Sequence, residues 1–133
     1  MALQISGTTV VDNSRNLSNI VNIESISGYA AQAIDTLSGT SVTPDFSTGN
    51  NFTLSLTGTT TINNPTNVTA GQSGVIIIIQ HASGAYAVSW GANWEFAGGT
   101  APTIPTGANA VSIISWFAQS TTEILTTFTL DLS

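Results

Sequence analysis

Gly74-Val75-Ile76-Ile77-Ile78-Ile79-Gln80 places five β-branched residues in a row between a glycine and a glutamine. Val and Ile are stiff at χ1 and pack well on a pleated surface, so the run reads as a β-strand. It is apolar at every position rather than at alternate ones. Such a strand belongs in the middle of a sheet, covered on both faces. The run is also far short of the roughly 20 apolar residues needed to cross a bilayer.

The flanking segments carry the period of two expected of half-buried strands. Upstream, Phe52, Leu54 and Leu56 alternate with Thr53, Ser55 and Thr57. Gly58 turns the chain into a second run, Thr59–Ile62, and Asn63-Asn64-Pro65 turns it again. Downstream, Tyr86, Val88 and Trp90 alternate, and Trp94 and Phe96 follow Gly91. A loop over Ala97–Asn109 holds Pro102 and Pro105. Val111–Phe117 reads as another core strand. Ile124–Leu132 closes the chain with Ile124, Thr126, Phe128 and Leu130 on one side. Strands spaced in this way by turn signals predict an all-β domain over residues 52–133, an antiparallel β-sandwich of jelly-roll-like form.

The first third differs. Leu17, Ile20, Ile23 and Ile26 recur at every third position among Ser and Asn. A period of three is neither the strand period nor the helix period. Asn and Ser are weak helix formers, which favours an extended arm over residues 1–27; a short amphipathic helix is the alternative. Such an arm would anchor the chain or pack its apolar stripe on symmetry mates, making Leu17, Ile20, Ile23 and Ile26 the expected interface. Arg15 stands just ahead of the stripe and would pair with Asp12 or with a neighbouring subunit, or else sit solvated in a turn. Residues 28–51 read as a short helix or linker. Ala30, Ala33, Ile34 and Leu37 suit one helical face, Gly39 can end it, and Thr40–Asn51 is rich in turn residues.

Composition removes several functions. The 133 residues include one basic residue, Arg15, and seven acidic ones, for a net charge of -6. One arginine cannot displace the counterions of a nucleic acid, nor dock the chain on an anionic membrane. There is no cysteine, so disulfides and thiolate metal sites are absent. The first ten residues lack the basic start and apolar run of a signal peptide, which predicts a soluble protein made in the cytosol, whatever its final place.

Catalytic chemistry finds no support. His81 is the only histidine and reads as a surface or turn residue. No G-x-S-x-G elbow accompanies the many serines. Among the carboxylates only Glu95, between Trp94 and Phe96, is flanked on both sides by aromatics, and an exposed turn or edge carboxylate explains it better. Asp12-Asn13 and Asn63-Asn64 fit turns better than calcium loops. No enzyme activity, metal or cofactor is therefore expected. Trp90 and Trp116 fall in phase with core positions. Trp94, between Gly91 and the Gly98-Gly99 loop, is the candidate for an exposed glycan contact. The three N-x-S/T triplets at Asn16, Asn51 and Asn67 match the glycosylation pattern by composition alone.

Two stretches resemble known proteins. ISGTTVVDNSRNLSNIVNIESIS is similar to linking and shaft segments of tailed-bacteriophage fibres. NNFTLSLTGTTTINNPTNVTAGQSGVIIIIQ, WGANWEFAGGTAPTIPTGANAVSIISWF and STTEI resemble a small β-sandwich module of phage virion proteins. The resemblance implies a structural virion component, made in the host cytoplasm and displayed on the virion surface. The short chain suggests a trimeric capsid-decoration (cement) or head-fibre protein, held by its arm to the major capsid protein or another virion protein. The alternative is a tail-fibre or receptor-binding module that grips host surface glycan through Trp94 and the Gly98–Asn109 loop.

Overall fold

The computed structural model describes residues 3–5, 8–11 and 32–132. The chain divides into two units, residues 1–31 and residues 32–133. In the first, β1 (Leu3–Ile5) and β2 (Thr8–Val11) form an antiparallel hairpin with a register shift between Leu3 and Gln4.

The second unit is all-β. Its strands are β3 (Ile34–Leu37), β4 (Ser41–Val42), β5 (Asn51–Ser55), β6 (Thr60–Ile62), β7 (Ser73–Ile79), β8 (Val88–Trp90), β9 (Trp94–Glu95), β10 (Val111–Ala118) and β11 (Ile124–Thr129). They form a six-stranded sheet in the order β3-β5-β7-β10-β11-β9 and a three-stranded sheet in the order β4-β6-β8. The two pack as a sandwich, as expected from the alternating apolar residues.

The pairing departs from the antiparallel expectation. Strands β3, β5 and β7 are mutually parallel, and so are β4, β6 and β8. The turns at Gly58 and Asn63-Asn64-Pro65 do not fold a strand back on its neighbour. Each carries the chain across to the other sheet, and a chain that returns after a full circuit re-enters running the same way. The result is a short solenoid of three coils, β3–β4, β5–β6 and β7–β8. Only β10 is antiparallel, to β7 on one side and to β11 on the other. It covers the hydrogen-bonding edge that the third coil would otherwise leave open.

Residues 28–51 also need correction over their described part. Ile34–Leu37 is strand β3 rather than helix. Its backbone pairs with β5, with Leu37 opposite Leu54, and this pairing outweighs the weak helical preference of the nearby alanines. Nor is the following stretch a plain linker, because Val42 and Phe46 lie in the core. Residue 52 therefore lies at the beginning of this unit's second coil, not at the start of the unit.

Register aligns the core. Phe52, Ile76 and Ile114 stand opposite one another on neighbouring strands, as do Leu54, Ile78 and Ser112. All six are buried. Val42, Ile62 and Trp90 line up on the facing sheet. Phe46 closes one end, stacked on Phe52 and Trp116 and set edge-on to Trp94. Gly74 is required where β7 passes Asn50: an added Cβ would sit 1.8 Å from the Asn50 carbonyl oxygen and 2.9 Å from the Trp116 ring.

Candidate binding surfaces

The loop side of the sandwich is organised by Gln80, which ends the apolar run and is itself buried. Its Nε2 donates to the carbonyl oxygens of Tyr86 at 2.9 Å and Pro105 at 3.1 Å, while its Oε1 accepts from the His81 N–H at 3.0 Å. One amide thereby fastens two loops to the end of β7. Beside it lies a hollow of about 260 Å³ lined by Ala85, Ala87, Val88, Pro102, Ile104 and Thr106. The lining is mainly aliphatic and offers few groups for a sugar hydroxyl.

Trp94 does not contribute an exposed ring to this side. It is 4% exposed, and its Nε1 donates to the Asn63 carbonyl oxygen at 3.0 Å. A glycan-stacking platform must present one ring face to solvent, and this ring packs against Phe46 and Trp90 instead. The glycine-rich neighbourhood misled because Gly91 lets the chain pass close to Asn63 and Asn64, pulling Trp94 inward. Trp116 is core, as its place in β10 predicts, and Trp90 packs half-buried against the core cluster, beside Trp94 and Phe96. His81 is exposed and accepts the Ser83 N–H at Nδ1. Glu95 is an exposed carboxylate on edge strand β9. Leu17, Ile20, Ile23, Ile26 and Arg15 lie outside the described residues.

A polar hollow opens on the opposite part of the solenoid, between the first two coils. It measures about 370 Å³ and is lined by Gln32, Ser47, Thr48, Asn50 and Gln72 among others. The β4–β5 turn holds these groups in place. Asp45 Oδ1 accepts from the Ser47 N–H at 2.9 Å, the Ser47 hydroxyl at 2.7 Å and the Asn67 amide at 2.8 Å. The bond from Asn67, followed by those from Ser47, holds the Asp45 carboxyl below its usual 3.8, against a smaller opposing effect of desolvation. Thr48 donates to the Asp35 carboxylate, and Gln72 donates to the Phe46 carbonyl oxygen at 2.9 Å. Hydroxyl and amide groups thus line one concavity, with the Asp35 and Asp45 carboxylates holding its wall through Thr48 and Ser47. Sequence reading missed this site, since Asp45–Asn51 has the composition of any turn. What marks it is the return of the next coil, which brings Asn67 and Gln72 against that turn.

Among the described residues, no group of three or more His, Asp or Glu side chains is placed to hold a metal ion. No helix among them is long and apolar enough to cross a membrane.

A family model described as "Putative phage tail fibre C-terminal domain" matches residues 42–122. The match begins in β4 and ends in the turn before β11. No curated protein and no solved structure matches the chain.

Proposed function

Because the chain belongs to the phage tail fibre C-terminal domain family, a family of structural virion proteins, we propose that it is a non-enzymatic tail-fibre module that recognises host surface glycan. The family match is the observation that carries this reading and favours the tail over the capsid shell. The polar hollow supplies the contact surface, with Ser47, Thr48, Asn50, Gln32 and Gln72 as its hydrogen-bonding groups. Phe46 beneath it is buried, so no aromatic platform adds stacking energy. A single site of this kind binds weakly, and a fibre compensates by presenting several copies, which raises avidity by about 10²–10⁴.

The test is competitive adsorption. Purified chain added to host cells before infection should reduce phage attachment, and Asn50→Ala with Gln32→Ala should abolish the competition while leaving the fold intact. Attachment unaffected by saturating wild-type protein would overturn the glycan reading. Labelling intact particles with an antibody against the chain separates the locations: label at the tail supports the proposal, and label spread over the shell returns the protein to capsid decoration.

A further inference from the structure

Strand β8 has one paired edge and one open edge. The Thr60 N–H donates to the Ala87 carbonyl oxygen at 2.9 Å, and the Gly91 N–H donates to the Ile62 carbonyl oxygen at 2.8 Å. The groups turned toward β6 therefore belong to Ala87, Ser89 and Gly91. Alternation along the strand turns the N–H and C=O of Val88 the other way, and among the described residues they have no partner. That edge opens on the aliphatic hollow of about 260 Å³, whose lining comes from residues 85–88 on one side and residues 101–106 on the other.

The walls of the hollow are fixed in advance. The Ala85 N–H donates to the Thr106 carbonyl oxygen at 3.2 Å, which ties the loop to the chain just before β8. Pro102 and Pro105 have no N–H to offer the strand, so the loop cannot complete a ladder with it. The Gln80 amide bonds Tyr86 on one wall and Pro105 on the other. Gly84 and Ala85 both have positive φ, 70° and 74°, and a Cβ on Gly84 would sit 2.2 Å from the Thr106 carbonyl oxygen. A positive φ on alanine is uncommon and marks backbone held by its surroundings.

This geometry selects a ligand. The volume is below the roughly 300–1,000 Å³ of a drug-sized site, which suits one small group. The group must be apolar against Ala87, Ala101 and Ile104, and must bring a donor and an acceptor to the Val88 backbone. A plain polyol lacks the apolar end, and an acyl chain lacks the donor. An acetamido sugar has all three. A carboxylated or phosphorylated sugar would find no Lys or Arg within residues 32–132. An extended peptide would meet the same backbone groups, but it needs a ladder that continues, and β8 is three residues long.

We propose that this hollow, with the Val88 backbone at its edge, binds the acetamido group of a neutral N-acetylhexosamine. The amide N–H donates to the Val88 carbonyl oxygen, and the methyl, which lies on the same side of the amide, enters the hollow between Ala87 and Ala101. A ring hydroxyl accepts from the Val88 N–H, and the exposed Thr103 and Thr106 offer hydroxyls to the rest of the ring. The choice of a sugar rests on the glycan reading of the chain; the site is separate from the polar hollow.

NMR titration of the isotope-labelled full chain tests it. The probes are the methyl glycosides of N-acetylglucosamine and N-acetylgalactosamine, each beside the plain hexoside that has a hydroxyl in place of the acetamido group. An N-acetyl probe should shift the Val88 amide and the Ala87 and Ala101 methyls saturably, and its plain partner should not. Ala101→Phe, in an exposed loop, fills the hollow and should raise the dissociation constant by about tenfold or more, with circular dichroism confirming the fold. Asn50→Ala with Gln32→Ala should leave the shifts unchanged. Equal response to plain and N-acetyl sugars, unchanged affinity in folded Ala101→Phe, or tighter binding of the peptide acetyl-Ala-Val-Ala-amide would each overturn the proposal. Absence of any shift overturns this site and leaves the polar hollow as the glycan contact. Saturable shifts beside unaffected phage adsorption would support this site and overturn the receptor reading instead.

Discussion

Phe46 lies flat against Trp116, their ring centroids 4.0 Å apart and their planes inclined by 15°. The pair joins the first coil of the solenoid to the antiparallel strand that closes it, across 70 residues of sequence. Offset aromatic stacking adds about 0.5–1.5 kcal/mol to the burial of two large rings. Phe46→Ala removes a 2%-exposed ring that also contacts Phe52 and Trp94. The variant should lose about 3–5 kcal/mol of unfolding free energy in urea, with a fall in midpoint and no change in slope.

Gln80 makes a different kind of demand. Replacing it by Glu keeps the shape and the acceptor but removes the amide N–H groups bonded to Tyr86 and Pro105. It also buries a carboxylate beside two carbonyl oxygens. The expected cost is about 1–3 kcal/mol at acid pH, where the carboxyl is neutral, and more at neutral pH. Limited proteolysis should then cut within Ala97–Asn109 faster than in the wild type. Equal cleavage of both proteins would show that Gln80 does not hold the loop.

The strands were legible because each reports its own environment locally. Phe52–Leu56 alternates, Val75–Ile79 does not, and both signals survive without knowledge of partners. The coil architecture was not legible. Ile34 pairs with Asn51, and Asn51 pairs with Val75, so successive coils are separated by 17 and then 24 residues, and no fixed repeat exists to be seen. β3 was missed for a related reason. Four residues beside Ala30 and Ala33 look helical alone and become a strand through pairing with β5. The polar hollow depends on contacts such as Asn67 to Asp45, which composition cannot reveal. Trp94 shows the converse error, a ring flanked by glycines that the backbone draws into the core.

Gly74→Ala tests the close passage of β7 beneath the first coil. The added methyl would collide with the Asn50 carbonyl oxygen, which also accepts the Val75 N–H at 3.2 Å. Backbone must move to admit it, and the Trp116 ring blocks the other direction. A loss of at least about 2 kcal/mol is expected by thermal or urea denaturation. An unchanged midpoint would mean that the coils are less tightly apposed than the geometry requires.

Asp45 should give the stability a pH dependence of definite sign. Its folded pKa lies below the usual 3.8 because Asn67 and Ser47 bond the ionised form. The unfolded chain therefore binds the proton more readily than the folded one as the solution is acidified. The stabilisation is full above the unfolded value and disappears as pH falls through the lowered folded value. The thermal midpoint of the wild type should drop as pH falls below about 4, and Asp45→Asn should flatten that drop. A titration of Asp45 followed by NMR should place its midpoint below 3.8.

Deleting residues 1–31 separates folding from anchoring. Residues 32–133 form their own unit, and every core residue from Val42 to Ile124 belongs to it. The shortened chain should therefore keep its β-sheet circular dichroism and melt within a few degrees of the full chain. What should disappear is incorporation into particles, if the stripe of Leu17, Ile20, Ile23 and Ile26 with Arg15 supplies the attachment. Full occupancy of particles by the shortened protein would place the attachment on the sandwich.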